Sequence, residues 1–240
     1  MARVLVGLPA LVGDIAKYKD RFDLVELRPV DTSVPKERTL RAYRKAVPPA
    51  FVFSVVMPRI VGELGTGPDV DAAIEQCLAV ATAVEARCLV VATPPSVRPT
   101  SANKKRIEAL LARVRRDGVV TCWEPSGLWE RDEIVESARA LDVVPVLDAA
   151  RESLGGGPIA YTRLRGLGQG VVIGAKTVER IAERLAGRRE AFVVVEGADP
   201  AHRLRAALAS AMLGVRPKVR AAVSLKGPPI ASLVAEDEEQ

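Results

Sequence analysis

The feature that most constrains the fold is a regular alternation of short apolar runs with helix-like stretches. Eight such runs occur along the 240 residues, and each stops at a polar or turn residue. Buried strands that alternate with helices indicate a parallel sheet with crossover helices, and eight such units in about 250 residues match the size of a closed (β/α)8 barrel. The predicted strands are Arg3–Gly7, Leu24–Arg28, Phe51–Met57, Cys88–Thr93, Val119–Glu124, Val143–Asp148, Ala160–Arg165 and Phe192–Glu196.

One barrel of this kind uses nearly the whole chain. We therefore predict an α/β protein with a single TIM-type barrel domain over residues 1–213. A short C-terminal extension over 214–240 ends in the acidic sequence EDEEQ, and we expect its tail to be disordered. Two places strain the pattern: no clear helix follows Asp148, and Pro145 lies inside a strand where it removes a hydrogen-bond donor. The proline predicts a bulge or a shifted strand boundary.

Composition excludes several classes of protein. No apolar run reaches the roughly 18 residues that span a bilayer, and no signal-peptide pattern opens the chain, so we expect a cytoplasmic protein without a membrane partner. The chain has one histidine and three cysteines without close spacing, which excludes a structural zinc site. We expect Cys77, Cys88 and Cys122 to be buried thiols.

The net charge of +5 is compatible with an anionic ligand or with nucleic acid. The most basic segment runs from Lys104 to Arg116, where apolar residues recur at helical spacing and leave the charges on a solvated face. Only four Phe, three Tyr and two Trp are present, so base-stacking platforms are scarce. Nucleic acid is therefore the weaker of the two expectations.

Charged residues at the strand ends predict where a functional site lies. Active sites of these barrels lie at the C-terminal ends of the strands. Side chains alternate along a strand, and an unpaired charge is costly on the helix-facing side, so the charged residues should point inward near the mouth. The residues predicted at the mouth are Glu26, Arg28, Glu124, Asp148, Tyr161, Arg163, Arg165 and Glu196.

Three interpretations of these charges remain open. The carboxylates and arginines form a mutually neutralising network, or two carboxylates work as general acid and base, or the carboxylates hold a hard cation such as Mg²⁺. The sequence requires no cofactor and predicts no metal ligand set.

A glycine-rich run follows the seventh strand directly, from Arg165 to Gly170. Phosphate sites in barrels frequently use the loops after strands 7 and 8. Backbone N–H groups at Gly166 and Gly168, with the guanidinium groups of Arg163 and Arg165, would suit an anion. A flexible loop without a ligand is the alternative.

Several segments together resemble a known family. Val25–Arg28 followed by Pro49–Pro58 is similar to a pattern VEINSTFY…P…F.F.VK.P, and Thr93–Val97 is similar to LPPSF. Trp123–Trp129 resembles VEFRHPSW, and Ala160–Gly166 resembles VYVRLHG. In this order and spacing the segments resemble the YecE-like proteins, a barrel family catalogued as domain of unknown function 72. The resemblance implies the barrel fold and a shared mouth, and it brings no reaction.

The departures from the family pattern fall on polar mouth positions. Arg28 replaces an asparagine, Val56 replaces a lysine, and Arg165 replaces a histidine. Glu26 and Arg163 keep the family residue, as do Glu124 and Asp148. A changed substrate and a lost reaction are both consistent with this combination.

The sequence thus favours a barrel that binds a small polar or phosphorylated ligand, anionic in character, at its mouth. As an enzyme, it would hydrolyse a carbohydrate or a phosphoester, with Glu26 and Glu124 as the acid–base pair and Asp148 as a further catalytic candidate. Arg28, Tyr161, Arg163, Arg165 and Glu196 would bind the ligand. The alternatives are a non-catalytic binding or scaffold protein with a degenerate site and, less favoured, a nucleic-acid-processing protein.

Overall fold

The computed structural model describes residues 3–29, 34–165 and 173–214. Within these ranges eight parallel strands follow one another in chain order and close into a barrel. The predicted fold class is confirmed. The strands are β1 (Arg3–Leu8), β2 (Leu24–Leu27), β3 (Val52–Val56), β4 (Cys88–Thr93), β5 (Val120–Pro125), β6 (Val144–Leu147), β7 (Ile159–Leu164) and β8 (Glu190–Val195).

Helices surround the barrel and connect most neighbouring strands. Their bounds are α1 (Ile15–Arg21), α2 (Glu37–Ala46), α3 (Arg59–Gly62), α4 (Pro68–Ala83), α5 (Ser101–Val114), α6 (Arg131–Ala140), α7 (Ala175–Leu185) and α8 (Ala198–Gly214). The predicted C-terminal extension beyond residue 214 lies outside the described residues. Among those described, no helix is long and apolar enough to cross a membrane.

The barrel closes where the first and last strands pair, from Arg3 opposite Glu190 to Gly7 opposite Val194. On its other side β1 meets β2 over a short stretch, with Gly7 opposite Leu24. A Cβ at Gly7 would lie 1.7 Å from the carbonyl oxygen of Leu24, so only glycine permits this approach. Beside this contact, the buried hydroxyl of Tyr18 donates to the Leu24 carbonyl and accepts from the Leu8 N–H, each at 2.9 Å. The tyrosine thereby fastens α1 to both strands.

The apolar core has two layers, as strand alternation requires. One cluster fills the space between the barrel and the helices. The other fills the barrel lumen, and its buried members are Leu5, Leu24, Val52, Val56, Cys88, Val90, Cys122, Val146, Tyr161, Phe192 and Val194. The lumen is therefore packed with apolar side chains over most of its length.

The β6–β7 crossover, residues 148–158, contains no helix, in agreement with the weak pattern there. Pro145 lies inside β6 and pairs with Trp123 of β5, while on the β7 side pairing begins only at Val146. The proline therefore lacks its N–H at a position where β6 is not yet paired with β7, so no hydrogen bond of the sheet is lost there. No bulge is needed, and β6 is only four residues long.

Arginines from the flanking segments donate hydrogen bonds to the backbone of this crossover. Arg184 of α7 donates to the carbonyl oxygen of Ala149 at 2.6 Å, and Arg131 of α6 donates to that of Ser153 at 3.0 Å. Arg188, just after α7, donates to the carbonyls of Gly155 and Gly157. These bonds supply donors to backbone oxygens that a helix would satisfy internally.

The starts of α4 and α5 follow from their first residues. α4 begins at Pro68 with Gly67 as the N-cap, and proline suits the first helical position because its missing N–H would have no partner within the helix. At the start of α5 the Thr100 side chain accepts from the Asn103 N–H at 3.2 Å.

Candidate functional site

The centre of the candidate site is built from the ends of three strands. Leu24 lies in the lumen, so Glu26, two residues further along β2, also faces inward. The same alternation carries Glu124 inward beyond Cys122 on β5 and Arg163 inward beyond Tyr161 on β7. All three of these charged side chains are buried.

Arg163 joins the two carboxylates through all three of its guanidinium nitrogens. Its Nη1 and Nη2 donate to the two oxygens of Glu26 at 2.7 and 2.6 Å, and its Nε donates to Glu124 Oε1 at 2.9 Å. Burial by itself would lower the pKa of Arg163, but the charges of Glu26 and Glu124 outweigh it and raise the pKa above its usual range. The guanidinium therefore stays charged and is fixed in one orientation.

Below Arg163, a hydroxyl chain supports Glu26. The Tyr161 hydroxyl donates to Glu26 Oε1 at 2.6 Å, and Ser54 Oγ lies 3.0 Å from the same hydroxyl oxygen. Since the tyrosine proton is used on the carboxylate, Ser54 donates to the tyrosine oxygen. Burial first, and then the charge of Glu26, raise the pKa of Tyr161 well above its usual value. The tyrosine therefore remains a neutral donor.

Sequence reasoning missed Ser54 as a member of the site. Ser54 is fully buried on β3 between two inward-facing valines, Val52 and Val56, and opposite Glu26 in the strand register. The alternation of β3 was a sufficient signal, because it places a polar residue among inward positions. Its partner, however, is Tyr161 across the lumen, which no local pattern predicts.

Two arginines continue the network toward solvent. Arg28 lies 3.4 Å from Glu26 Oε2 through Nη2, and its side chain is 33% exposed. Arg165 donates through Nη2 to Glu124 Oε1, and its side chain is 50% exposed. We call the set Glu26, Arg28, Glu124, Arg163 and Arg165 the mouth cluster. Arg165 is the more exposed of the two outer arginines, so its guanidinium is the charged group of the cluster that solvent reaches most readily.

Asp148 and Glu196 were also predicted at the mouth, but neither makes a hydrogen bond or an ion pair with the mouth cluster. Asp148 follows β6 and accepts from the Ala150 N–H through Oδ1 at 2.9 Å. Its Oδ2 is buried without a hydrogen bond and lies 3.6 Å from Arg151 Nε. Glu196 is exposed just after β8 and makes no hydrogen bond or ion pair with any described residue. Gly166 and Gly168 lie outside the described residues.

Metal binding has little support in this geometry. Within the described ranges, no group of three or more His, Cys, Asp or Glu side chains is placed to hold a metal ion. The oxygens of Glu26 and Glu124 accept hydrogen bonds from arginines instead. All three cysteines are buried and none of them forms a disulfide.

The basic helix α5 pairs several of its charges within the molecule. Lys104 lies 2.6 Å from Glu133 of α6, and Arg113 lies 2.7 Å from Asp71 of α4. Arg106 donates to the carbonyl oxygen of Leu64. These side chains bind neighbouring elements, which accounts for part of the basic character of this helix without a nucleic acid.

Comparison with solved structures gives the class of the protein. A crystal structure of a DUF72 family protein from Thermotoga maritima MSB8 is 17% identical, covers 89% of this chain and 100% of its own, and has a TM-score of 0.66. A DUF72 family protein from Enterococcus faecalis V583 is 12% identical over 89% of this chain and 96% of its own, also with a TM-score of 0.66. The structure of an L-ribulose 3-epimerase is 15% identical over 89% of this chain and 95% of its own, with a TM-score of 0.63. At these identities the likeness shows a shared TIM-barrel fold.

The family itself is shown by the sequence. The model of the family described as "Protein of unknown function DUF72" matches residues 7–214, and the chain belongs to this family. The family resemblance that the strand-end motifs indicated is confirmed. No curated protein sequence matches the chain.

Proposed function

We propose that the mouth of the barrel binds a small anionic ligand that carries hydroxyl groups, of the class of sugar phosphates and sugar acids. One observation carries the proposal: the guanidinium of Arg165 is half exposed and lies outside the buried carboxylates of the mouth cluster. Arg165 uses only Nη2 on Glu124 and keeps its other N–H groups without a partner among the described residues. Such a fork suits a phosphate or a carboxylate.

Two further observations support the carbohydrate part of the proposal. Asp148 is 10% exposed at the C-terminal end of β6, and its buried Oδ2 has no hydrogen bond. A ligand hydroxyl is the donor that such an oxygen lacks. An L-ribulose 3-epimerase is among the proteins that share the fold, although fold alone does not transfer an activity.

If the ligand is a substrate, we propose hydrolysis of a phosphoester or glycoside with Glu124 as the group that exchanges a proton. Glu124 Oε1 accepts from half-exposed Arg165 and from Arg163 Nε, so a ligand anion that attracts Arg165 would leave this oxygen bonded only to Arg163. Glu26 is fully buried and is held by Arg163 and Tyr161, which suits a residue that fixes Arg163. The predicted acid–base pair thus divides into a reacting carboxylate and a supporting one.

A non-catalytic binding protein is the second candidate, and one observation favours it. Every oxygen of Glu26 and Glu124 already accepts a hydrogen bond from an arginine. Carboxylates held in this way orient guanidinium groups for recognition without taking part in proton transfer.

Isothermal titration of the whole protein with glucose 6-phosphate, glucuronate and glucose tests the proposal. We expect saturable binding of the two anions and none of glucose. Arg165→Gln should weaken binding by about tenfold or more, because a charge-assisted hydrogen bond contributes about 1.5–3 kcal/mol. Arg38→Gln, at an exposed arginine of α2, is the matched control and should bind normally.

Glu124→Gln then separates the two candidates. If the wild type hydrolyses a bound ester and Glu124→Gln binds it without turnover, the protein is an enzyme. Binding without turnover of any ester in the wild type would favour the binding protein. Failure of every anion to bind would contradict both.

A further inference from the structure

The β6–β7 crossover leaves a second feature at the opposite end of the barrel. A hollow of about 470 Å³ lies beside the N-terminal ends of β5, β6 and β7, next to the crossover without a helix. It is bounded by the residues that follow α5, by α6 and by the glycine segment Gly155–Gly157. The mouth cluster stands at the C-terminal strand ends, so the hollow is separate from it.

The rim of this hollow carries an excess of positive charge. Three arginines, Arg115, Arg116 and Arg139, line it together with Asp117 and Asp142. Arg115 is occupied, since it donates to the Leu141 carbonyl at 2.6 Å and lies 3.6 Å from the Asp142 carboxylate. Arg139 is exposed and makes no hydrogen bond or ion pair with any described residue. Its guanidinium is therefore available to an anion.

The interior of the hollow contains an unpaired polar group. Thr121 lies on β5, faces away from the lumen and is 5% exposed. Its Oγ1 is buried and has no hydrogen-bond partner. Buried hydroxyl groups are nearly always hydrogen-bonded, so this one indicates a missing partner in the hollow that it lines.

The rest of the wall is apolar or consists of bare backbone. Val135, Val143 and Ile159 are only partly buried and line one side. On another side, Cβ atoms at Gly156 and Gly157 would meet no heavy atom within 4 Å. Bare backbone therefore forms this part of the wall.

From these contacts we infer that the hollow is a second ligand site, for a small anion with an apolar body such as an aryl phosphate or an aryl carboxylate. The anionic group pairs with Arg139, and the apolar body packs against the apolar wall formed by Val135, Val143 and Ile159. A polar atom of the ligand forms a hydrogen bond with the Thr121 hydroxyl. A wholly polar anion such as inorganic phosphate would leave the apolar wall uncovered and should bind more weakly.

Titration of the full chain with phenyl phosphate tests this site, with inorganic phosphate as the polar comparison. The titrations use the Arg165→Gln background, which removes the recognition proposed for the mouth. We expect one saturable event for phenyl phosphate, weakened by about tenfold or more in Arg139→Gln, because the pair is charge-assisted. Gly156→Leu should abolish binding by filling the hollow, and Arg38→Gln should leave it unchanged.

Thr121→Val gives an independent readout, because it keeps the shape of the side chain and removes the hydroxyl. It should weaken phenyl phosphate while leaving the fold intact. The inference is overturned if phenyl phosphate does not bind, or if Arg139→Gln and Thr121→Val bind it like the parent. It is also overturned if inorganic phosphate binds as tightly as phenyl phosphate. Should Gly156→Leu fail to fold, the Arg139 and Thr121 variants decide alone.

Discussion

Arg163 is the residue on which the charged centre of the barrel depends. It is the shared partner of two buried carboxylates, and it is itself oriented by all the bonds it makes. Taking such charges out of water costs several kcal/mol per ion, and only close pairing compensates that cost. Removing one partner therefore does more damage than the net contribution of the pair would suggest, since the other charge remains buried.

We predict that Arg163→Met lowers the free energy of unfolding by about 3–5 kcal/mol, because it leaves Glu26 and Glu124 with much of their pairing lost. Arg165→Met should cost less than about 1 kcal/mol, since that side chain is half exposed and water screens its pair. Urea unfolding at neutral pH measures both. The double variant Arg163→Met with Glu26→Gln should be more stable than Arg163→Met alone. If Arg163→Met and Arg165→Met are equally stable, the buried pairing of Arg163 does not have this importance for stability.

At the scale of secondary-structure elements, the β6–β7 crossover shows how a barrel tolerates a missing helix. Its backbone oxygens are bonded by Arg131, Arg184 and Arg188, which come from the two neighbouring helical segments. Burial lowers the pKa of Arg188, whose N–H groups donate hydrogen bonds to the backbone carbonyls of Gly155 and Gly157. The arginines thus connect α6 and α7 through the loop between them.

Arg188→Ala should therefore destabilise the protein by about 1–2 kcal/mol, the magnitude of one or two hydrogen bonds from a partly solvated charge. The effect should be local, so amide hydrogen exchange should quicken within residues 149–158 more than in the barrel strands. Arg180→Ala, which removes only a 3.2 Å bond to Thr177 within α7, is the control. Unchanged exchange in the crossover would show that the loop is held by other means.

A second prediction at this scale concerns the approach of β1 to β2. Gly7→Ala places a methyl group against the Leu24 carbonyl and forces the strands apart, at a cost of about 1–3 kcal/mol or more. Gly156→Ala is the matched control, because open space surrounds that position. Thermal unfolding compares the two. If the Gly7 variant unfolds at the same temperature as the wild type, the backbone must relax around the methyl group without loss of stability.

At the scale of the whole molecule, strand alternation explains what the sequence could predict. Glu26, Glu124 and Arg163 each occupy an inward position at the end of a strand, and barrel closure brings such positions together. The alternation of β3 also places Ser54 inward, but it does not predict that Ser54 bonds to Tyr161 across the lumen. Asp148 meets Ala150 and Arg151 instead of the mouth cluster because a turn begins at its own position, and turn geometry is not contained in the alternation. The hollow likewise depends on how helices pack, which no strand pattern reports.

Because its interior buries ionisable groups, the whole barrel should also lose stability at alkaline pH. Burial raises the pKa values of Tyr18 and Tyr161 above their usual value, and it raises that of Cys122 as well. A group whose pKa is raised by folding contributes its full stability below its unfolded pKa and loses it as the pH rises, because the unfolded chain releases the proton first. Stability should therefore fall as the pH rises above about 8.5 for the thiol and about 10 for the tyrosines, by up to about 1.4 kcal/mol per pH unit for each group. Denaturant unfolding between pH 7 and 11 measures the slope, which Tyr161→Phe should reduce. A free energy of unfolding that stays constant to pH 11 would show that these buried hydroxyls ionise as readily in the barrel as in the unfolded chain.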